Sequence, residues 1–348
     1  MSEVIVAGAG VWGCTLARRL AESGRDVLVL EKRPAIGGNV RCETDAETGI
    51  EVHVYGSHIF HTHDRQVWDF IRKYVDFNGY QHKVLANYRG KTYHLPLGLT
   101  LINKFFQVEL KPCEVKAFMA EANHADAIFD AFFRGYTSKQ WGKSPDEIDP
   151  SIIRRVPVRD NYDTNYFNDY WQGIPADGYN ALFDRLLDHP RIRVRCNEPY
   201  ELSAANTHVY YSGAIDALFD YRFGALPWRS LRFETEKLSV RDYQGTSVVN
   251  YTEAEVPYTR IHEFKHYHPE CKAGMECGKT IICREYPKTW EPGDEPYYPV
   301  NDATSAELLA KYRSEAERHS NLTIGGRLGE YRYYDMDQAM AAALQVRI

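Results

Sequence analysis

Apolar residues recur along this chain at strand spacing in some stretches and at helical spacing in others, and the changes of spacing outline its organisation. Residues 3–7 are a short apolar run, residues 12–23 carry apolar positions at helical intervals, and residues 26–30 are a second apolar run. That order predicts a strand–helix–strand unit at the start of the fold. Helical spacing returns at 64–75 and at 101–135, where Lys111-Pro112 interrupts it because proline cannot donate to the helix ladder. Residues 151–178 are polar, aromatic and rich in Pro and Gly, which predicts a long functional loop. A helix is expected over 179–188, then strands at 192–194 and 209–212. From 231 to 284 the pattern is strand-rich, as in Ser247-Val248-Val249-Asn250-Tyr251 and Thr280-Ile281-Ile282-Cys283. A charged amphipathic helix is expected over 305–319, an apolar stretch at 322–325 and a last helix from Met336. A strand-rich middle between two α/β ends predicts a discontinuous nucleotide-binding domain carrying insertions.

The first turn carries chemistry. Gly8-Ala9-Gly10-Val11-Trp12-Gly13 follows an expected strand and opens an expected helix, the setting a dinucleotide fingerprint needs. Gly8 and Gly10 allow the tight turn and close backbone approach, and Gly13 lets helix and strand pack. The helix start then offers N–H groups and a positive dipole to a pyrophosphate. Glu31 ends the second strand, where its carboxylate can accept ribose hydroxyls. The continuation through Gly37-Gly38-Asn39 adds a second glycine turn, similar to FAD enzymes of the amine-oxidase type.

Composition narrows the function classes. The chain has 348 residues, 44% hydrophobic and 26% charged, and a formal net charge of -6. An acidic balance argues against nucleic acid as a partner, so phosphate must be met by local arginines. No apolar run is long enough to span a bilayer. With no signal peptide ahead of the first strand and an odd count of seven scattered cysteines, a cytoplasmic protein with reduced thiols is expected. Cys271, Cys277 and Cys283 match no common zinc spacing.

Three further groups stand out. His58, His61 and His63 fall within six residues, yet no Cys or Glu pattern beside them completes a ligand set, so no metal is expected. His262, His266 and His268 read as polar positions on a strand face. Arg154, Arg155 and Arg159 crowd a Pro-broken stretch, with Arg260 further along. Guanidinium forks suit a diphosphate, although on composition alone a solvated basic face is the simpler reading. There are 25 tyrosines, several in groups such as Tyr162/Tyr166/Tyr170, Tyr297/Tyr298 and Tyr331/Tyr333/Tyr334. Most tyrosines are packing residues, but these neighbourhoods also suit hydroxyl donors in a polar pocket.

The ordered motifs resemble a known family. Gly56-Ser57-His58-Ile59-Phe60-His61-Thr62, Gly135-Tyr136-Thr137-Ser138-Lys139-Gln140-Trp141-Gly142, Arg155-Val156-Pro157-Val158-Arg159 and Asn165-Tyr166-Phe167 come first. Phe219-Asp220-Tyr221-Arg222-Phe223-Gly224, Val256-Pro257-Tyr258-Thr259-Arg260-Ile261, Asp294-Glu295-Pro296-Tyr297-Tyr298-Pro299 and Gly325-Gly326-Arg327-Leu328 follow. The set is similar to bacterial UDP-galactopyranose mutase along nearly the whole chain. The resemblance implies an α/β fold: a discontinuous Rossmann-type FAD domain over 1–77, 188–221 and 321–348, a helical insertion domain with a mobile Arg loop over 101–187, and an antiparallel β-sheet domain over 78–100 and 222–320.

It also implies site residues and a reaction. Arg155 and Arg260 would hold the diphosphate, and Tyr166, Tyr298 and Tyr333 would give hydroxyls to it, with Asp335 nearby. Tyr136 would stack on the uracil, and Thr137, Trp141 and Asn250 would line the nucleotide and sugar pocket. His58 and His61 would lie beside the flavin ring and Arg327 would face the cofactor. The implied reaction interconverts pyranose and furanose forms of a nucleotide-diphosphate sugar, most simply UDP-galactose. N5 of reduced FAD attacks the anomeric carbon, with no net redox change but with an external reductant to prepare the flavin. The expected partners are that substrate, the reductant and, if the chain assembles, a second copy in a homodimer. Two departures from the family pattern appear: Ser57 stands where the motif usually has Ala, and a helical segment usual between positions 121 and 129 is missing. Other readings stay open: the same chemistry on another UDP- or TDP-hexopyranose, a flavin oxidase, or a flavoprotein that binds nucleotide sugars without turnover.

Overall fold

The computed structural model describes residues 3–147, 157–203 and 206–348. Alternating and continuous apolar runs resolve into two principal sheets. The first is parallel, ordered Leu322–Ile324, Val209–Tyr211, Val4–Ala7, Val27–Glu31 and Ile192–Cys196. Its strands come from three distant parts of the chain, the discontinuity expected from the sequence. The helix Val11–Glu22 turns its buried side, including Leu16 and Leu20, onto Val6 and Val29. The helices Gly178–Leu187 and Met336–Gln345 join the same core through Phe183, Leu186, Met340 and Ala343. On the opposite side Ile215, Leu218 and Tyr312 cover Ala7, Val209 and Tyr211, and Tyr312 comes from the helix Ala303–Ala316.

The second sheet has seven strands, in the order Tyr298–Pro299, Trp228–Leu238, Thr280–Thr289, Arg260–Glu263, Val248–Tyr251, Val84–Tyr88 and Lys91–Leu95. It is antiparallel throughout except that Val248–Tyr251 pairs parallel to Val84–Tyr88. The hairpin partners turn back directly, whereas these two strands are separated by the whole helical insertion, so no tight turn fixes their direction. The insertion comprises Leu99–Phe106, Val115–Ala120, Ala122–Phe129 and Gly135–Trp141. Its core of Leu99, Ile102, Val115, Phe129 and Phe132 rests on Ala86 and Tyr93 of the sheet. The helical stretch thus continues past 135, and Tyr136 and Thr137 lie on its last helix.

Three expectations need correction. Residues 231–284 are not strands throughout: a 3-10 turn, Phe264–Tyr267, and a helix, Lys272–Glu276, interrupt them. Consequently His262 alone of its cluster sits on a strand. His266 is in the turn against Asp242 and Glu263, and His268 follows it, 3.0 Å from Glu270 and 3.3 Å from Glu51. The long loop also holds a strand, Trp171–Gly173, paired with Phe60–Thr62 so that His61 faces Gln172; three residues are too few for periodicity to reveal. Among the described residues no helix is long and apolar enough to cross a membrane.

A half-buried cation fastens the helical insertion to the sheet. Lys139 Nζ donates to the carbonyls of Tyr251, Val256 and Tyr258 at 2.7, 3.0 and 2.9 Å. Arg229 donates to Gln140 O and Lys139 O, where the helix dipole leaves negative charge. Replacing Lys139 with Met strands three carbonyls and is expected to cost roughly 1.5–3 kcal/mol. A urea titration with an unchanged midpoint would show that this tether carries no stability.

Candidate active site

The turn after the first strand is built by close backbone approach. A Cβ on Gly13 would fall inside the contact distance of Gly8 O, so only glycine lets the helix seat against the strand. Gly10 precedes the helix without a side-chain cap, and its first turn carries no acidic residue. Its free N–H groups therefore open onto a cavity of about 740 Å³ between the two sheets. Gly8, Gly10, Glu31, Gly37, Gly38 and Asn39 line one end of it. Gly13 lies behind the turn. Glu31 accepts from Ala9 N at 2.7 Å and Arg33 N at 2.9 Å, which fixes its carboxylate and leaves lone pairs free. Arg33 stacks on Tyr55 with its guanidinium carbon 4.5 Å from the ring centroid. Its Nη2 bonds Asn39 and Glu295, while buried Nε and Nη1 have no partner.

The same cavity continues to a second group of expected residues. His58, His61, Trp141, Tyr166, Asn250, Arg260, Tyr298, Arg327, Tyr333 and Asp335 all line it. Tyr298 and Tyr333 stack at 6.0 Å, and the Tyr333 hydroxyl donates to Asp335 at 2.9 Å. Arg327 donates to the carbonyls of Pro296 and Tyr297, and Asn250 Oδ1 is buried without a partner. His61 stacks on Phe167 at 3.7 Å and meets Asp169 at 3.0 Å. Tyr136 and Thr137 are not part of this lining, although Tyr136 accepts a hydrogen bond from Arg260 through its hydroxyl. Arg155 and its loop neighbour Arg154 lie outside the described residues.

Charge in the wall is organised around Glu285. Its carboxylate lies 3.2 Å from Arg260 Nε, 3.2 Å from His262 Nε2 and 3.0 Å from the Thr259 hydroxyl. Burial opposes the charge, yet Arg260 and His262 hold the carboxyl near about 2. Burial also depresses Arg260, but Glu285 together with the hydroxyls of Tyr136, Tyr298 and Tyr166 outweighs it and keeps the guanidinium charged. Sequence reasoning missed Glu285, Arg33, His82 and the role of His262. Arg33 follows Glu31 closely and was within reach of a motif argument; Glu285 and His262 meet only through strand pairing. His53, His58, His82 and His262 are all pushed below the usual imidazole value by burial, His58 to about 4 and His82 to about 3.

Two clusters among the described residues have metal-ligating side chains in reach of one another, Cys42/Glu51/His53 and Asp242/Glu263/His266. Neither includes His58, His61 or His63. In the first, His53 Nδ1 accepts from His58 N, so the proton sits on Nε2, the nitrogen that faces Glu51. In the second, Glu263 is already occupied by Tyr243 N, Gln244 N and Thr280 Oγ1.

Comparison with known proteins agrees with this geometry. Residues 131–333 match the UDP-galactopyranose mutase family model, and residues 6–74 match the NAD(P)-binding Rossmann-like domain. A probable UDP-galactopyranose mutase of Klebsiella pneumoniae is 40% identical over 99% of this chain and 93% of its own length. The chain belongs to the UDP-galactopyranose mutase family. A dTDP-fucopyranose mutase of Escherichia coli is 38% identical, covering 99% of this chain and 97% of that one. In fold, a crystal structure of reduced UDP-galactopyranose mutase superposes with a TM-score of 0.72 at 16% identity, over 99% and 94% of the two chains. A putative protoporphyrinogen oxidase from Exiguobacterium sp. 255-15 gives 0.64 at 13% identity, over 98% and 97%. The mutase fold is therefore one that oxidoreductases also use, and the wall chemistry has to separate them.

Acid should loosen this site through its imidazoles. The unfolded chain binds protons at histidine below 6.5, whereas folded His58 and His82 do so only near 4 and 3. Stability contributed by the neutral rings is thus present above 6.5 and lost as pH falls toward 4. Glu285 works in a lower window: its contribution is present above the unfolded value of 4.5 and lost as pH falls toward 2. The thermal midpoint is expected to fall between pH 6.5 and 4.5, before carboxylates titrate. A midpoint flat over that range would mean that these rings are not held neutral.

Proposed function

We propose that this protein interconverts the pyranose and furanose forms of a nucleotide-diphosphate sugar, with UDP-galactose the first substrate to test and reduced FAD the cofactor. The observation that carries the reading is the continuity of one cavity. A dinucleotide cradle at one end runs without a barrier into a wall of Arg260, Asn250, Tyr298 and Tyr333 at the other. The cradle fits a flavin dinucleotide: the helix N-terminus and the unpartnered Nε and Nη1 of Arg33 suit its diphosphate, and Glu31 suits its ribose.

When bound, reduced FAD would supply a nucleophilic nitrogen. The protein's own residues bind, orient and stabilise. Arg260 and Arg155 hold the diphosphate of the substrate, whose negative charge grows as it departs from the sugar. Tyr166 and Tyr298 donate to the same group, as does Tyr333 once its single hydroxyl proton leaves Asp335. Tyr136 fixes Arg260 through its hydroxyl and, from beside the cavity lining, is the ring on which the family resemblance places the base. Asn250, with a free Oδ1, and Trp141 bound the sugar. His58 and His61 flank the flavin, and Arg327 braces the wall by binding carbonyls.

The oxidase alternative differs in its balance. Pyranose and furanose share one oxidation level, so activity should require prior reduction by dithionite without stoichiometric use of reductant. Steady peroxide formation by the oxidised protein would overturn the mutase reading. Arg260→Ala and Arg155→Ala are each expected to lower turnover by at least about tenfold, since a lost charge-assisted contact is worth about 1.5–3 kcal/mol. Arg154→Ala is the control, and equal effects at 154 and 155 would refute the diphosphate clamp.

A second reading concerns the base. Helices Val115–Ala120 and Ala122–Phe129 are separated by Glu121 alone, so the insertion beside Tyr136 is short. A relative named as a dTDP-fucopyranose mutase matches nearly end to end. Stacking distinguishes uracil from thymine weakly, and one methyl in a pocket is worth about 1–3 kcal/mol. Competition titrations of the reduced enzyme should give similar affinities for UDP and TDP. A preference for UDP of about a hundredfold or more would exclude an open base pocket.

A further inference from the structure

One stretch of the cavity wall has chemistry that nucleotide binding does not use. Gly56 has φ 89°, a left-handed turn that favours glycine, and the chain leaves it with Ser57 on the cavity wall. Ser57 Oγ lies 2.7 Å from His262 Nδ1, and His262 Nε2 lies 3.2 Å from Glu285 Oε2. A carboxylate only accepts, so the neutral imidazole carries its proton on Nε2 and leaves Nδ1 to accept from the Ser57 hydroxyl. His262 and Glu285 are 1% and 5% exposed. The three side chains therefore run from the cavity surface to a buried carboxylate, in the order hydroxyl, imidazole, carboxylate. This is the order in which a serine hydroxyl can pass a proton inward.

The surroundings define the charge on the relay. Burial disfavours an imidazolium at His262 most, Glu285 favours one, and Arg260 beside Glu285 adds to the disfavour, so the resting ring is neutral. His53 and His82, both buried, and the partly exposed His58 face the same imidazole. The Tyr267 hydroxyl, buried without a close partner, faces Ser57, and the Phe264 ring lies parallel to His262 at 6.2 Å.

We propose that Ser57, His262 and Glu285 form a proton relay for the sugar ring, with Ser57 Oγ the atom that meets the sugar. This rests on the mutase reading. Turning a six-membered ring into a five-membered one moves a proton between two sugar oxygens. The old ring oxygen gains one as its bond to the anomeric carbon breaks; the 4-hydroxyl loses one as its bond to that carbon forms. With His262 as imidazolium, its Nδ1 proton passes to Ser57 as the Ser57 proton passes to the old ring oxygen. The neutral relay that remains, the arrangement described above, takes the 4-hydroxyl proton back along the same path. Glu285 stays ionised throughout, and no proton is gained or lost over the turnover.

The relay gives the enzyme an acid-favoured rate. Because the productive form is the imidazolium and burial holds His262 below the usual imidazole value, kcat should already be falling as pH rises to about 6.5 and should go on falling above it. Ser57→Ala should lower kcat at pH 6.5 by roughly tenfold or more and flatten that profile, with KM changed by less than about threefold. Ser57→Thr, which keeps the hydroxyl, should recover both. FAD content and thermal midpoint of Ser57→Ala should stay close to those of the parent protein.

Nitrogen NMR of the histidines in the FAD-loaded protein without substrate supplies the second readout. It should find the neutral His262 protonated on Nε2, with an Nδ1 shift that moves in Ser57→Ala. A neutral His262 protonated on Nδ1 overturns the relay whatever the substrate proves to be. Parental kcat and pH profile in Ser57→Ala overturn it while leaving the mutase reading intact. A parent protein that turns over no nucleotide sugar fails that reading, and the relay's assignment to a sugar falls with it.

Discussion

A carboxylate buried in the middle of a sheet governs this site. Glu285 lies on the long strand Thr280–Thr289, and an unpaired charge there would cost several kcal/mol. It is tolerated because Thr259 comes from the chain leading into the next strand, and Arg260 and His262 from that strand itself. The pairing works in both directions. Arg260, itself mostly enclosed, keeps its charge because Glu285 is there, and it is then aimed into the cavity with Tyr136 bound to one nitrogen. Removing the carboxylate would leave a buried guanidinium without its partner and an imidazole without its anchor.

The position of that cluster depends on how the two sheets meet. The parallel sheet ends in glycine turns at one end of the cavity, and the second sheet presents Asn250, Arg260 and His262 from adjacent strands. Neither sheet alone encloses a ligand. The segment around Ser57, His58 and His61 closes the junction, held by the pairing of Phe60–Thr62 with Trp171–Gly173 and by His58 N donating to His53. A dinucleotide and a second diphosphate ligand would thus share one enclosed space of low dielectric, where arginine contacts are stronger than in water.

Part of this was legible in the sequence. The glycine turn, Glu31 and the following Gly37-Gly38 are local in the chain, and local backbone requirements leave a local signature. The ordered motifs from Gly56 to Arg327 identified the family, and with it most of the wall. Strand interruptions near Phe264 and Lys272, the three-residue strand at Trp171 and the parallel pair in the second sheet left no such signature. They are set by packing and by chain crossings, not by short-range pattern. The histidines show the same division: His262, His266 and His268 look alike along the chain, yet one is an internal hydrogen-bond bridge and two pair with acidic groups nearer the surface.

The sequence by itself determined the Rossmann unit, the insertion of helices and sheet between its parts, and the glycine turns and acidic residue of a dinucleotide cradle. These follow from periodicity, glycine positions and motif order, all carried by neighbours in the chain. Only the tertiary structure decided that Ser57, His262 and Glu285, separated by up to 228 residues in number, stand in hydrogen-bonding line, and that Arg33 keeps two buried nitrogens free. It likewise decided that Tyr136 touches Arg260 while standing off the cavity lining. The reason is physical: hydrogen bonds depend on distances of a few tenths of an ångström, and those are fixed by strand register and side-chain packing across elements that the sequence lists far apart.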